Sequence, residues 1–179
     1  MSAAAKNFRE KGYAAVTLRE IAKTAGLTTG SLYYHFKSKE DVVREVLDQG
    51  HIFIRLAVEK ALADPRVGTD DRSRIRCAIK THMACLFGDD SLSAANIRIF
   101  SQVPAQVKYP TLASRHAYEA LWRSLFQDAK ASGFLDPNLD IEVMIPLMLG
   151  AVNWTLEWSG SDDVSVDAIV DHVVTMLEA

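Results

Sequence analysis

The 179-residue chain is 49% apolar and 24% charged, with a formal net charge of −3, a balance that suits a soluble globular protein of one or two domains and excludes a general polyanion binder. The charge is unevenly placed: residues 1–50 carry eight Lys/Arg against six Asp/Glu, and the remainder carries 12 against 17. A mildly basic head on an acidic body fits a protein that touches phosphate with one end only.

Nearly every segment repeats its apolar residues at 3.6-residue spacing and no stretch alternates as a strand does, so the fold class is all-α. The first helix runs from about Ala3 to Lys11, burying Ala4, Ala5 and Phe8, and Gly12 ends it. Tyr13 and Val16 pack under the following turn. Thr17 then opens a second helix with Glu20 three residues on, the Ser/Thr-x-x-Glu pattern of a capping box. Leu18, Ile21 and Ala22 form its apolar stripe, and Gly26 follows its last turn, where a left-handed residue closes a helix. A third helix from Thr28 or Thr29 buries Leu32 and Phe36 and leaves Thr29, Ser31, Tyr33, Tyr34 and His35 on its other sides. Two short helices joined through a glycine turn make a helix-turn-helix unit, whose second helix enters the DNA major groove.

Ser38 caps a long stretch reaching Ala63. Val42, Val43, Val46 and Leu47 face inward in its first part, Ile52, Leu56 and Leu62 in its second, and Gly50 predicts a bend between them. Asp64-Pro65 and Gly68 mark a linker. Asp70 to Phe87 is the next helix, with Ile75, Ile79, His82, Met83 and Leu86 on one face, ended by Gly88-Asp89-Asp90. Ser91 to Ser101 forms a shorter helix, and a loop with Pro110 leads to a long one over Thr111–Ser132 carrying Leu112, Tyr118, Leu121, Trp122, Leu125, Phe126 and Ala129. Asp140 to Trp158 is the most apolar helix. It is interrupted by Pro146, Gly150, Asn153 and Glu157, and its apolar core is shorter than the roughly 20 residues of a membrane span, so it reads as a buried helix. Ser159–Asp163 is a polar loop. Ser165 caps a final helix burying Val166, Ile169, Val170, Val173 and Leu177. Cys77 and Cys85 stand two helical turns apart, roughly 12 Å of axis, too far to pair with each other.

The run Phe8, Gly12, Tyr13 followed by TLREIAKTAGLTTGSLYYHFKSKEDVV is similar to the N-terminal domain of the TetR (tetracycline-repressor-type) regulators. The glycine turn, Leu-Tyr-x-His-Phe, Lys-Ser-Lys and the capping residues occur together in register over about 50 residues. In that family the first helix usually begins several residues earlier, so the native N-terminus is either naturally short or extends beyond Met1. The resemblance implies an all-helical homodimer that binds a near-palindromic operator and is usually released when a small molecule enters the C-terminal domain. It divides the chain into a DNA-binding head, residues 1–48, and a ligand-binding and dimerisation body, residues 49–179.

By position in the motif, Thr28, Thr29, Ser31 and Tyr33 stand at the front of the recognition helix, within reach of base edges. Thr17, Arg19, Tyr34, His35 and Lys39 are placed for phosphate, and Lys39 shares its site with the amide groups of a helix N-terminus. No arginine or asparagine lies in the recognition helix to make a bidentate base contact, so part of the specificity is expected from DNA shape and bridging water.

In the body, polar residues interrupt apolar faces: His82, Asn153 and Glu157, with Arg98 and Gln102 on the short helix. Together with Met83, Tyr118, Trp122, Phe126 and Trp154 they are the candidate effector contacts, set in the mostly apolar surroundings a ligand site needs. An aromatic stripe at helical spacing is also what a plain core looks like. Gly150–Trp158, GAVNWTLEW, is similar to a segment of the subgroup that regulates fatty-acid or steroid breakdown and senses acyl-CoA thioesters. An acyl-CoA effector needs cations for its phosphates, and Arg55, Arg98, Arg115 and Arg123 are the candidates.

No His or Cys pair has metal-site spacing, so neither metal nor cofactor is expected. No catalytic motif appears, so the chain reads as a regulator and not an enzyme. The rival reading is a helical interaction module that binds no DNA. The last two helices carry more apolar surface than one side of a small body hides. Paired with a symmetry mate they would form a four-helix bundle, with Gly150 and Ala151 allowing close approach. No signal peptide precedes the first helix, and the expected location is the cytoplasm.

Overall fold

The computed structural model describes residues 1–88, 92–158 and 165–178. Ten α-helices and one 3-10 turn occupy them, with no strand among the described residues. The predicted turn at Asp89-Asp90, the predicted helix start Ser91 and the predicted loop Ser159–Asp163 lie outside that set. The chain forms two compact units, each discontinuous in sequence. One comprises Met1–Ile54 with Phe87–His116, the other Arg55–Leu86 with Ala117–Ala179.

The first unit begins with α1 (Ser2–Ala15), which is helical up to a kink at Gly12, whose φ of +74° only glycine reaches without strain. Ala4, Ala5 and Phe8 are buried as their spacing requires. So is Asn7, whose amide donates to the Ala3 carbonyl (2.7 Å) and to Thr24 Oγ1 (2.9 Å), tying α1 to the end of α2. Helix α2 (Leu18–Thr24) starts in a complete capping box. Thr17 Oγ1 accepts from the Glu20 amide at 3.3 Å, and Glu20 Oε2 accepts from the Thr17 amide at 2.9 Å. It closes on Gly26 (φ +68°), with the Leu27 amide donating back to the Ala22 carbonyl at 2.9 Å.

Helix α3 (Thr29–His35) is capped by Thr28, whose Oγ1 accepts from the Ser31 amide at 3.1 Å. Leu32 is its buried residue, and Phe36, expected inside, is only half-buried because the helix stops there in extended backbone. Ser38 and Asp41 exchange side-chain-to-amide bonds of 3.0 and 3.2 Å at the start of α4 (Lys39–Leu62).

The predicted bend at Gly50 is absent. Helix α4 is continuous, and Gly50 is buried where α6 (Leu92–Phe100) crosses it. A β-carbon there would meet Asn96 Cβ and the Leu92 carbonyl oxygen, both at 2.9 Å. Two polar bonds fix the crossing: Asn96 Nδ2 donates to the Leu47 carbonyl at 2.6 Å and Ser93 Oγ to the Gly50 carbonyl at 3.1 Å. The second half of α4 also presents a different face from the one predicted. Ile54 and Val58 are buried, Ile52 and Leu62 only partly, and Leu56 is 51% exposed. The stretch read as a loop around Pro110 contains a short α7 (Ala105–Lys108) and the 3-10 turn Tyr109–Thr111, which bury Val107 and Thr111.

The second unit holds most of α5 (Asp71–Phe87) and α8 (Leu112–Ala131), with α9 (Ile141–Trp158) and α10 (Val166–Leu177). Ile75, Ile79, Met83, Leu86, Trp122, Phe126 and Leu135 are among its fully buried large side chains. Leu112, expected inside, and Leu121 are only partly buried. Helix α9 is not buried all round. Ile145, Met148, Val152 and Thr155 turn inward, while Val143, Leu147 and Trp154 are 52, 63 and 65% exposed. On α10, Val170, Val174 and Leu177 are buried, whereas Val166, Ile169 and Val173 are intermediate. Arg76 and Lys80 of α5 hold α10 through Asp167 and Asp171 at 2.7–3.1 Å.

Candidate nucleic-acid interface and candidate effector site

The helix-turn-helix presents one polar, aromatic surface. Thr28, Ser31, Tyr33, Tyr34 and His35 are exposed on and beside α3, with Thr29 half-buried. Tyr34 is 87% exposed and stands edge-on to His35, ring centroids 5.2 Å apart. A large ring held out of the core in this way costs apolar exposure that a partner surface would recover. Arg19 and Thr17 are exposed at the start of α2. Thr17 already serves the capping box, so its hydroxyl has one task in the fold whatever else it touches. Lys11 bonds Glu20 at 2.9 Å, and that bond, with those from Thr17, holds the Glu20 carboxyl at about 2.

Lys39 sits at the first turn of α4, half-buried, with its ammonium 4.2 Å from the centre of the Tyr13 ring. It also lies 3.4 Å from the Ala14 carbonyl oxygen. Burial lowers the Lys39 ammonium from its usual range, with Glu40 and Glu20 acting the other way. Burial also raises the Tyr13 phenol, helped by the Glu40 carboxylate 3.4 Å from its hydroxyl. The structure therefore brings Thr28, Ser31, Tyr33 and Tyr34 together on α3, and seats Lys39 on the Gly12–Ala14 bend.

In the second unit, His82, Tyr118, Trp122, Phe126 and Asn153 converge. His82 is 3% exposed. Its Nε2 lies 2.9 Å from Asn153 Oδ1 and its Nδ1 lies 2.7 Å from the Tyr118 hydroxyl. An amide oxygen only accepts, so Nε2 carries a proton, and in the neutral ring Nδ1 then accepts from the Tyr118 hydroxyl. Burial is the cause that holds it so, lowering the imidazole to about 4. Burial likewise raises the Tyr118 phenol far above its usual range, eased a little by the neighbouring Trp122. Trp122 packs edge-on against His82, Tyr118 and Phe126 at 6.1–6.3 Å, and its buried indole N–H, near the Tyr118 hydroxyl, meets no acceptor at full hydrogen-bond geometry among the described residues. A buried donor left without an acceptor is costly, and a ligand oxygen or a water would satisfy it.

Other predicted effector residues lie elsewhere. Trp154 points outward from α9, and Glu157 is exposed. Arg98 and Gln102 belong to the first unit, where Gln102 is bonded to the Tyr13 amide. Met83 is fully buried in α5 beside His82 in sequence. Among the candidate cations, Arg55 pairs with Glu59 at 2.6 Å and Arg123 grips Glu142 with two bonds of 2.5 and 2.8 Å. The Arg115 guanidinium and the Lys108 ammonium each lie 4.8 Å from the centre of the Phe100 ring. Among the described residues no group of three or more His, Cys, Asp or Glu could hold a metal ion, and no helix is long and apolar enough to cross a membrane.

Residues 1–46 match the family described as bacterial regulatory proteins, tetR family, and residues 68–179 match the tetracyclin repressor-like C-terminal domain. The chain is 25% identical to the HTH-type transcriptional repressor KstR2 of Rhodococcus jostii (strain RHA1), over 97% of this chain and 85% of that protein. Two solved structures share the fold. AibR in complex with isovaleryl coenzyme A and operator DNA has a TM-score of 0.83 at 22% identity, covering 99% of this chain and 95% of that one. The fatty acid degradation regulator FadR from Bacillus halodurans has a TM-score of 0.81 at 21% identity, covering 98 and 90%. With both its head and its body matched in order, the chain belongs to the tetR family of bacterial regulatory proteins.

Proposed function

We propose that the protein is a DNA-binding transcriptional repressor, released from a near-palindromic operator by a small hydrophobic or acyl-CoA-like effector. The observation that carries the DNA reading is the capped helix-turn-helix whose second helix holds Thr28, Ser31, Tyr33, Tyr34 and His35 out to solvent. Thr28, Thr29, Ser31 and Tyr33 meet base edges in this reading, while Thr17, Arg19, Tyr34, His35 and Lys39 face phosphate. In this reading residues 1–48 bind DNA and residues 49–179 sense and dimerise, in the cytoplasm.

The effector reading is supported by the neutral His82–Tyr118–Asn153 network and the unsatisfied Trp122 N–H inside apolar surroundings. It is supported further by a fold relative solved with isovaleryl coenzyme A and operator DNA. An effector that prefers a conformer with misplaced heads shifts the population off DNA, and α4 is the candidate lever. To turn occupancy from 99:1 to 1:99 it must discriminate by ~5.5 kcal/mol.

Mobility shift with duplex from the region flanking the protein's own gene tests the DNA reading. Specific retardation at physiological salt is expected. Lys39→Ala should weaken all sequences alike and flatten the log–log salt slope by about one unit. The exposed Leu27, Tyr33 and Tyr34 would also suit a protein partner, and retardation of no fragment would favour that interaction module instead.

A further inference from the structure

Gln102, two residues beyond the end of α6, reaches the bend that ends α1. Its Oε1 accepts from the Tyr13 amide at 2.8 Å, and its Nε2 donates to the Arg98 carbonyl of α6 at 2.9 Å. The bend is shaped for this contact. Gly12 has φ +74°, and a β-carbon on it would lie 2.8 Å from Gln102 Oε1. On the same bend rests Lys39, its ammonium over the Tyr13 ring and beside the Ala14 carbonyl. The base of the strut is firm, because α6 is fixed to α4 by the Asn96–Leu47 and Ser93–Gly50 bonds. Contacts thus run in a ring, from α4 to α6, through Gln102 to the end of α1, and back to Lys39 at the start of α4.

We propose that Gln102 is a positioning residue for DNA binding: by holding the Tyr13 amide it fixes the Gly12–Ala14 bend on which the Lys39 ammonium is aimed at phosphate. The proposal rests on the reading of Lys39 as a phosphate contact. A lysine ammonium on a four-carbon stem has many rotamers, so a seat made by an aromatic face and a carbonyl confines it before DNA arrives. The side-chain hydrogen bonds of Gln102 in this ring go to the Tyr13 amide and the Arg98 carbonyl, so its effect passes through the Tyr13 backbone.

Two measurements test this on the full-length protein. In the DNA-free state, the Lys39 side-chain methylene resonances should carry a ring-current shift from Tyr13. Gln102→Met should move them towards their values in open solvent, while Gln102→Glu, which keeps an oxygen for the Tyr13 amide, should leave them near the wild-type positions. On duplex, Gln102→Met should weaken binding about three- to tenfold and lower the salt slope by about 0.9. In a Lys39→Ala background the same change should add nothing.

Unchanged Lys39 resonances in Gln102→Met, or a full additional loss of affinity in the double variant, would overturn the proposal. If the wild type retards no duplex yet the resonances still move as expected, the seating of Lys39 by Gln102 stands and the DNA reading falls.

Discussion

At the scale of single residues, His82 joins a candidate site to a measurable stability signature. It is buried, neutral and doubly hydrogen-bonded, with its imidazole lowered to about 4 from an ordinary value of 6.5. Between those two values the unfolded chain binds a proton that the native state does not, so stability rises with pH through this window. The stabilisation is fully present above about 6.5 and is lost as pH falls towards about 4, an effect of order 3 kcal/mol. His82→Gln should therefore flatten the fall in urea midpoint between pH 6.5 and 4 relative to the wild type. Parallel curves would show that the wild-type ring protonates freely in the native protein. The sequence makes His82 visible as a polar break in an apolar stripe. Its partners are invisible there: Tyr118 and Asn153 lie 36 and 71 positions away, and only packing selects them from the other polar residues of the body. Gln102, an effector candidate by its polarity, and Trp154, one by its aromatic area, turn to the Tyr13 amide and to solvent.

Among the elements, the head is readable nearly residue by residue because its signals are local. The capping box of Thr17 and Glu20, the left-handed Gly26 and the Ser38–Asp41 cap each act within a few positions. Helix α4 misleads at Gly50 because a lone glycine resembles a break, whereas its reason is a neighbour 42–46 residues away. Treating Gly50 as a member of the stripe leads from Val46 to Ile54 and Val58, the residues found buried; restarting the register after it leads to Ile52 and Leu56. The short α7 has too few turns to show a period at all. An alanine in a helix interior ordinarily gains up to about 1 kcal/mol over glycine. At position 50 the β-carbon would meet the Leu92 carbonyl, which belongs to backbone and cannot rotate away. Overpacking and the strained Ser93 and Asn96 bonds should outweigh the propensity gain, so Gly50→Ala is expected to be destabilising by about 1–2 kcal/mol. A rise in thermal midpoint would mean that α6 is free to move off α4.

For the molecule as a whole, the outer apolar face of α9 is a surface that the isolated chain leaves uncovered. Val143, Leu147 and Trp154 follow one another at helical spacing on its outer side, and the exposed Gly150 and Ala151 lie between them. Among the described residues, nothing beyond its own helix backbone and chain neighbours lies within 4 Å of where a β-carbon on Gly150 would stand. A flat apolar strip with small residues at its centre lets a second helix approach closely, and a two-fold axis through it would make each copy cover the other. A dimer carries two α3 helices, and a two-fold operator offers its half-sites about 34 Å, one helical turn, apart. Since α3 has no long bidentate reader, one head alone offers weak discrimination, so operator affinity should depend steeply on dimerisation. Leu147→Glu tests that dependence cleanly. The side chain is 63% exposed in the single chain, so the charge should cost little folding stability, yet in a paired interface it would be buried without a partner. The variant is expected to sediment as a folded monomer at micromolar concentration and to lose specific operator retardation together with the dimer. A variant that remains dimeric would place the interface elsewhere on the surface, and a monomer that still binds its operator tightly would remove the need for paired heads.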